Sequence, residues 1–182
     1  VPAQRDAVRG VARGREHEGL VRREEVAFGF RPAREQSREV EALALTVSHS
    51  LVLRTSIVGI RRWTRQTFAE WAIDLVEQDG SAQLFHDAYT SSIDVTSFVR
   101  ASLDLLEKGA RGLYNLAARE IYSKEAFVRE VAAQLGRPLS HATVASVDTL
   151  LTRRASCLGL DVRRAQGQLG YALPTLSDVV SS

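Results

Sequence analysis

The spacing of apolar residues changes near position 38 of this 182-residue chain. Residues 1–38 are rich in arginine and glutamate, and their few apolar residues follow no clear period. Such a segment has little apolar surface to bury, so we expect an atypical arm that is poorly ordered. From residue 39 to residue 182 the apolar spacing is regular, which predicts a folded region.

A strand that ends in polar residues is predicted between Leu51 and Gly59. Its apolar residues favour a pleated conformation, and such a nearly continuous run is typical of a parallel strand covered on both faces. Arg54, Thr55 and Ser56 bring hydrogen-bonding groups to its carboxyl end. Because ligands bind at this end of the strands in open α/β sheets, the segment predicts a fold class and a site together.

Helices and short strands alternate through the rest of the chain. The spacing predicts helices over 39–47, 67–77, 96–107, 123–135 and 161–169, and strands over 82–85, 113–117 and 143–147. Asp94 or Thr96 is the expected N-cap of the third helix, and Val99 and Leu106 are expected to point inward. Residues 86–92 are predicted to form a polar loop. This alternation indicates an α/β fold with at least some parallel strand pairing.

The composition argues against several classes of partner. Only two of the 24 basic residues are lysine, and interleaved glutamates help to hold the net charge at +2, so we expect no nucleic-acid partner. Cys157 is the one cysteine, which excludes an internal disulfide and fits the reducing cytoplasm. The apolar runs are shorter than the roughly 20 residues of a membrane helix, so we expect no membrane partner. No residues have the spacing of a metal site.

Six short motifs follow one another in a fixed order between residue 41 and the carboxyl terminus. They are Leu53-Arg54-Thr55-Ser56, Asp87-Ala-Tyr89-Thr-Ser91-Ser92, Gly112-Leu-Tyr114-Asn115-Leu-Ala117, Ser123-Lys124-Glu125-Ala-Phe127, Arg153-Arg154-Ala-Ser156-Cys-Leu and Gly170-Tyr-Ala-Leu-Pro174. Their order and spacing resemble the carboxyl half of an extended short-chain dehydrogenase/reductase. Within that family they are most similar to the dTDP-4-dehydrorhamnose reductase group.

The resemblance implies a partial Rossmann-type parallel sheet with flanking helices and a small substrate-binding lobe. It also implies that NADP or NAD binds in an amino-terminal Rossmann part and that a nucleotide sugar binds over the carboxyl edge of the sheet. Ser56 and Ile57 would lie near the nicotinamide, and Arg153 would pair with the nucleotide diphosphate. The substrate loop would be lined by Asp87, Tyr89, Ser91 and Ser92. Where the family has proline, this chain has Ser92 in the loop and Arg154 in the later segment.

Two motifs on which catalysis in this family depends are absent from the sequence. No glycine-rich turn joins a strand to a helix, although close backbone approach to a pyrophosphate needs one. The Tyr-x-x-x-Lys pair is also absent, since Asp104 and Glu120 stand four residues before the two lysines. The family register would place that pair at Ala33 and Ser37, within the atypical arm. We therefore assign no catalytic residue.

Some of these residues also have ordinary structural explanations. Arg54 would equally pair with a carboxylate, Asp87 and Tyr89 would serve as turn residues, and Asn115 would hold the backbone. The side chains expected to be inert or simply exposed are His86, His141 and Cys157.

Three classes of function follow from the resemblance. The first is an NAD(P)-dependent reductase of a nucleotide-linked 4-keto sugar, and this chain would be a truncated, substrate-binding portion of that enzyme. The others are a non-catalytic nucleotide-sugar-binding or regulatory protein, and a related NAD-dependent epimerase or dehydratase. We also expect a homo-oligomer or a partner chain that supplies the missing half. For residues 1–38 our hypothesis is a frame-shifted or foreign segment, which the alternative frames of the coding DNA would test.

Overall fold

The computed structural model describes residues 34–61, 65–150 and 155–182. The helices are α1 Arg34–Leu45, α2 Phe68–Glu77, α3 Val95–Glu107, α4 Lys124–Leu135, α5 Arg163–Leu169 and α6 Leu176–Ser181. The strands are β1 Leu51–Thr55, β2 Ile57–Val58, β3 Ala82–Phe85, β4 Tyr89–Thr90, β5 Ile93–Asp94, β6 Gly112–Leu116, β7 Tyr122–Ser123 and β8 Ala142–Ala145. A 3-10 turn, Val147–Thr149, follows β8.

Most strand pairs are parallel, as the alternation of helices and strands predicts. β1 pairs with β6 from Leu51↔Gly112 to Thr55↔Leu116, β2 pairs with β5, and β3 pairs with β8. The exception is β4, which runs antiparallel to β7. β4 lies within residues 86–92, so the predicted loop contains a short strand. The α/β fold with parallel pairing and flanking helices is therefore confirmed.

Local capping signals determine where the main helices begin and end. Asp94 caps α3 by accepting a hydrogen bond from the Ser97 backbone N–H, and Ser123 caps α4 in the same way. Gly136 ends α4 with φ of 60°, a left-handed conformation that is costly for residues with a Cβ. These caps match the boundaries that the sequence predicts for α4.

Two apolar clusters hold the helices against the strands. The first lies between α2, α4 and β3, and its most buried members include Ala72, Val76, Leu84 and Val128. The second lies between α3, α5 and β6, and its most buried members include Ile93, Leu105, Leu116 and Ala165. β2 contributes to the first cluster and β5 to the second, so the paired strands β2 and β5 join them.

Two sequence predictions about burial need correction. β1 is half-buried from Leu51 to Leu53 and exposed at Arg54 and Thr55, rather than covered on both faces. Val99 and Leu106 are 48% and 39% exposed, so they do not point into the core. Residues 34–38, the end of the predicted arm, are the first residues of α1. The prediction for residues 1–33 lies outside the described residues.

We predict that Thr67→Ala lowers the free energy of unfolding by about 1 kcal/mol, the usual loss for an N-cap. The Thr67 hydroxyl accepts from the Glu70 N–H and donates to the Gly59 carbonyl, so it joins α2 to the chain that follows β2. Urea denaturation measures the loss. Thr67→Ser, which keeps the hydroxyl, is the matched control and should unfold near the wild-type midpoint. Equal midpoints for all three proteins would contradict this assignment.

Candidate functional site

A cluster of three hydroxyl groups lies at the carboxyl end of β1. The Ser56 Oγ is 3.0 Å from the Ser92 Oγ, which is 3.2 Å from the Thr90 Oγ1. The Ile93 backbone N–H also donates to the Ser56 carbonyl at 2.9 Å, which fixes the loop beside the end of the strand. Ser56 and Ser92, predicted from the sequence, are therefore brought together across 36 positions. Thr90 joins them without having been predicted.

Tyr122 holds the backbone of this hydroxyl cluster in place. Its phenol donates to the Ser92 carbonyl at 2.8 Å, and its backbone lies opposite Thr90 in the β4–β7 pair. Burial raises the pKa of Tyr122 to about 12, and its protonated phenol is the donor in this hydrogen bond. The sequence offers little signal for this role, because a tyrosine before an N-cap serine is not diagnostic of a site.

Asp87 uses both carboxylate oxygens inside the protein. Its Oδ1 accepts from the Val147 backbone N–H at 2.8 Å, and its Oδ2 accepts from the Ser146 hydroxyl. The Ser146 hydroxyl in turn accepts from the Asp148 N–H and caps the 3-10 turn. The hydrogen bond from Ser146 and then that from Val147 lower the pKa of Asp87. Asp87 thus ties the start of the loop to the segment after β8.

Tyr89 and Ser91 tie the same loop to a second segment. The Tyr89 N–H donates to the Ser156 carbonyl at 2.7 Å, and the Tyr89 carbonyl accepts from the Leu158 N–H at 2.9 Å. These contacts use the backbone, and Tyr89 as a residue remains 42% exposed. Ser91 is fully buried, its Oγ accepts from the Leu160 N–H, and its carbonyl accepts from the Ala118 N–H. The predicted substrate contacts of these residues stay predictions.

The two residues predicted to lie near a nicotinamide, Ser56 and Ile57, differ in how exposed they are. Ile57 is 46% exposed and offers an apolar surface beside the half-buried Ser56. Arg54 instead makes a bidentate ion pair with Glu41 of α1, at 2.6 and 2.7 Å. The structure therefore supports the carboxylate-pairing explanation for Arg54. The Asn115 amide donates to the Asp161 carbonyl, which is the structural role expected for it.

Other candidate groups give no additional site. Arg153 lies outside the described residues, although the segments on either side of residues 151–154 both contact the loop. Cys157 is exposed. No group of three or more metal-ligating side chains occurs among the residues that the structure describes. In that same part of the chain, no helix is both long enough and apolar enough to cross a membrane.

Comparison with known proteins relates this fold to enzymes that act on nucleotide sugars. No protein-family model matches the chain. A probable low-salt glycan biosynthesis reductase of Haloferax volcanii is 27% identical in an alignment of 136 positions that covers 71% of this chain and 45% of that protein. The dTDP-4-dehydrorhamnose reductase of Bacillus anthracis, solved with NADP, superposes with a TM-score of 0.62 at 14% identity and covers 72% of this chain.

A second solved structure widens the comparison. The UDP-glucuronic acid 4-epimerase of Bacillus cereus, in complex with UDP-glucuronic acid and NAD, superposes with a TM-score of 0.60 at 16% identity and covers 81% of this chain. This chain covers 47% of the reductase and 48% of the epimerase, so it spans about half the length of these proteins.

These likenesses define the class of fold. The chain has the Rossmann-like α/β fold of these reductase and epimerase structures, over about half of their length. The resemblance to dTDP-4-dehydrorhamnose reductases that the motifs predict is confirmed at the level of the fold.

The lowered pKa of Asp87 predicts an acid-sensitive contribution to stability. Because the pKa is lower in the folded chain, the ionised carboxylate stabilises the fold above the unfolded pKa of about 4. That contribution is lost as the pH falls through the lowered, folded-state pKa. Asp87→Asn should therefore make the free energy of unfolding less dependent on pH between about pH 5 and pH 2.

Urea denaturation at a series of pH values measures this difference. Asp161→Asn is a second case for comparison, since the pKa of Asp161 is also lowered, to about 2, but by hydrogen bonds from Arg163 rather than from the segment after β8. It should likewise make the free energy of unfolding less dependent on pH. A wild-type pH dependence in Asp87→Asn would refute the role of Asp87.

Proposed function

We propose that residues 39–182 form the nucleotide-sugar-binding half of an NAD(P)-dependent reductase that acts on a nucleotide-linked 4-keto sugar. The observation that carries this proposal is the hydroxyl cluster of Ser56, Thr90 and Ser92 at the carboxyl end of β1. Hydroxyl groups both donate and accept hydrogen bonds, so such a cluster suits the hydroxyl groups of a sugar. Ligands also bind at this end of the strands in open α/β sheets.

The cofactor part of the proposal is more limited. Ile57 is exposed next to Ser56 and provides an apolar surface against which a nicotinamide ring would pack. NAD(P) would supply the hydride for reduction of the keto carbon. The sequence has no glycine-rich turn for the pyrophosphate and no Tyr-x-x-x-Lys pair. We therefore expect this chain to bind a nucleotide sugar but not to catalyse its reduction alone.

Two alternative functions remain as outcomes of the same experiments. A non-catalytic nucleotide-sugar-binding or regulatory protein is favoured by the missing Tyr-x-x-x-Lys pair. A related epimerase or dehydratase is favoured by the likeness to an epimerase solved with UDP-glucuronic acid and NAD. We expect the protein in the cytoplasm, because the nucleotide-linked sugars on which it would act would be found there.

The deciding experiment is a fluorescence titration of the purified chain with NADPH and with NADH, each with and without a dTDP-sugar. We expect saturable binding of the dTDP-sugar, measured by intrinsic fluorescence, and no binding of either cofactor. Ser92→Ala should weaken dTDP-sugar binding because it removes the central hydroxyl of the cluster. Ser102→Ala is the control, since that hydroxyl bonds to the Phe98 carbonyl within α3.

The outcomes separate the proposals. Micromolar cofactor binding would mean that the chain has a cofactor site that its sequence does not reveal, and would keep the enzyme hypothesis open. Binding of the dTDP-sugar alone would support the substrate-binding half. A chain that binds neither ligand would overturn the proposed function.

We further propose that another polypeptide segment covers the exposed side of α1. Three apolar residues at helical spacing are unusually exposed. They are Val40 and Leu43 in α1, at 55% and 70%, and Val47 just after it, at 61%. The covering segment would be a second copy of the chain, or the additional half that the longer relatives contain.

We predict that the chain self-associates and that Leu43→Glu reduces this association by placing a charge on the apolar side of α1. Sedimentation velocity at several protein concentrations measures the effect. Leu103→Glu, on the exposed side of α3, is the matched control because Leu103 is also more than half exposed. If both variants reduced association equally, or if the wild-type chain stayed monomeric, α1 would not be the self-association surface.

A further inference from the structure

The loop His86–Ser92 contacts two separate stretches of the chain, before and after residues 151–154. Asp87 holds the first stretch through Ser146 and Val147. The Tyr89 backbone and the Ser91 hydroxyl hold the second stretch through Ser156, Leu158 and Leu160. The loop therefore holds these two stretches in position, in addition to exposing part of its own surface. These contacts use some of its polar groups and leave others free.

Asp87 and Ser91 have their polar groups committed to protein partners. Each Asp87 oxygen accepts a hydrogen bond, from Val147 and from Ser146. Ser91 is 0% exposed, so its hydroxyl cannot reach a ligand while it accepts from the Leu160 N–H. Burial without this hydrogen bond would leave an unsatisfied backbone donor, which is costly.

Tyr89 and Ser92 differ in this respect. Tyr89 is held by hydrogen bonds of its backbone, the residue is 42% exposed, and its phenol makes no hydrogen bond to the residues that the structure describes. The Ser92 hydroxyl has two hydroxyl neighbours, and a hydroxyl can donate once and accept twice, so it keeps capacity for a further bond.

We propose that the loop residues divide into two kinds: Asp87 and Ser91 are positioning residues, and the Tyr89 phenol and the Ser92 hydroxyl contact the nucleotide sugar. This inference rests on the proposed function for its ligand and on the hydrogen bonds above for the division. Asp87 and Ser91 act on binding by holding residues 146–150 and 155–160 in place.

The test measures backbone hydrogen exchange of the full chain without ligand, followed by dTDP-sugar affinity. In Asp87→Asn, residues 146–150 should exchange about tenfold faster, since the acceptor loses its charge and one of its two oxygens. In Ser91→Ala, residues 155–160 should exchange faster. Both variants should also weaken dTDP-sugar binding. Tyr89→Phe and Ser92→Ala should weaken binding while leaving exchange in both stretches at the wild-type rate.

Asp79→Asn is the matched control for Asp87→Asn. Asp79 precedes β3 and accepts from the Ser140 N–H at 2.7 Å, so it holds the other end of β8. Asparagine tolerates the positive φ of 45° at this position. This variant should alter exchange near Ser140. Exchange in residues 146–150 and 155–160 and the affinity for the dTDP-sugar should stay unchanged.

Three results would overturn the division. Weaker binding in Asp87→Asn with unchanged exchange would make Asp87 a ligand contact. Unchanged exchange and unchanged binding in Asp87→Asn would remove its positioning role. Faster exchange in Tyr89→Phe would make its phenol a structural group. If the wild-type chain bound no dTDP-sugar, the proposed function would fail, while the exchange measurements would still decide the positioning roles.

Discussion

The parallel pairing of β1 with β6 is the contact on which the candidate site depends. Parallel neighbours require a long crossover, and here the crossover contains α2, β3, the loop and α3. The loop is consequently fixed from both strands. Ser56 follows β1 and contacts Ser92, while Ala118 follows β6 and donates to the Ser91 carbonyl. Loss of this one pairing would separate both sets of contacts.

Neutral polar groups dominate the part of the site at the end of β1. Serine and threonine hydroxyls form the cluster, and the Tyr122 phenol that bonds to the Ser92 carbonyl is uncharged, with a pKa that burial raises to about 12. Arg54, the nearest cation in sequence, is neutralised by Glu41. A surface of this kind would discriminate between ligands by hydrogen-bond geometry rather than by charge, which is what recognition of the proposed sugar requires.

Local signals in the sequence predicted where helices form, whereas contacts between distant residues could not be predicted from such signals. Ser123 and Gly136 bound α4 as predicted because caps depend on neighbouring residues. Apolar spacing assigned Val99 and Leu106 to an inward face, but spacing cannot say whether another element covers that face. Ser56 was predicted from the polar end of its strand and Ser92 from the family resemblance, but neither signal predicts their contact across 36 positions. Thr90 and Tyr122 were missed because their roles arise from the β4–β7 pair.

Asp79 and Asp87 lie on either side of β3 and bind the backbone on either side of β8. Together they act as two fixed points that set the register of this strand pair. A slip by one residue would break both hydrogen bonds at once and turn every side chain of β8 to the opposite face. Insertions and deletions should therefore be tolerated poorly between Ser140 and Val147.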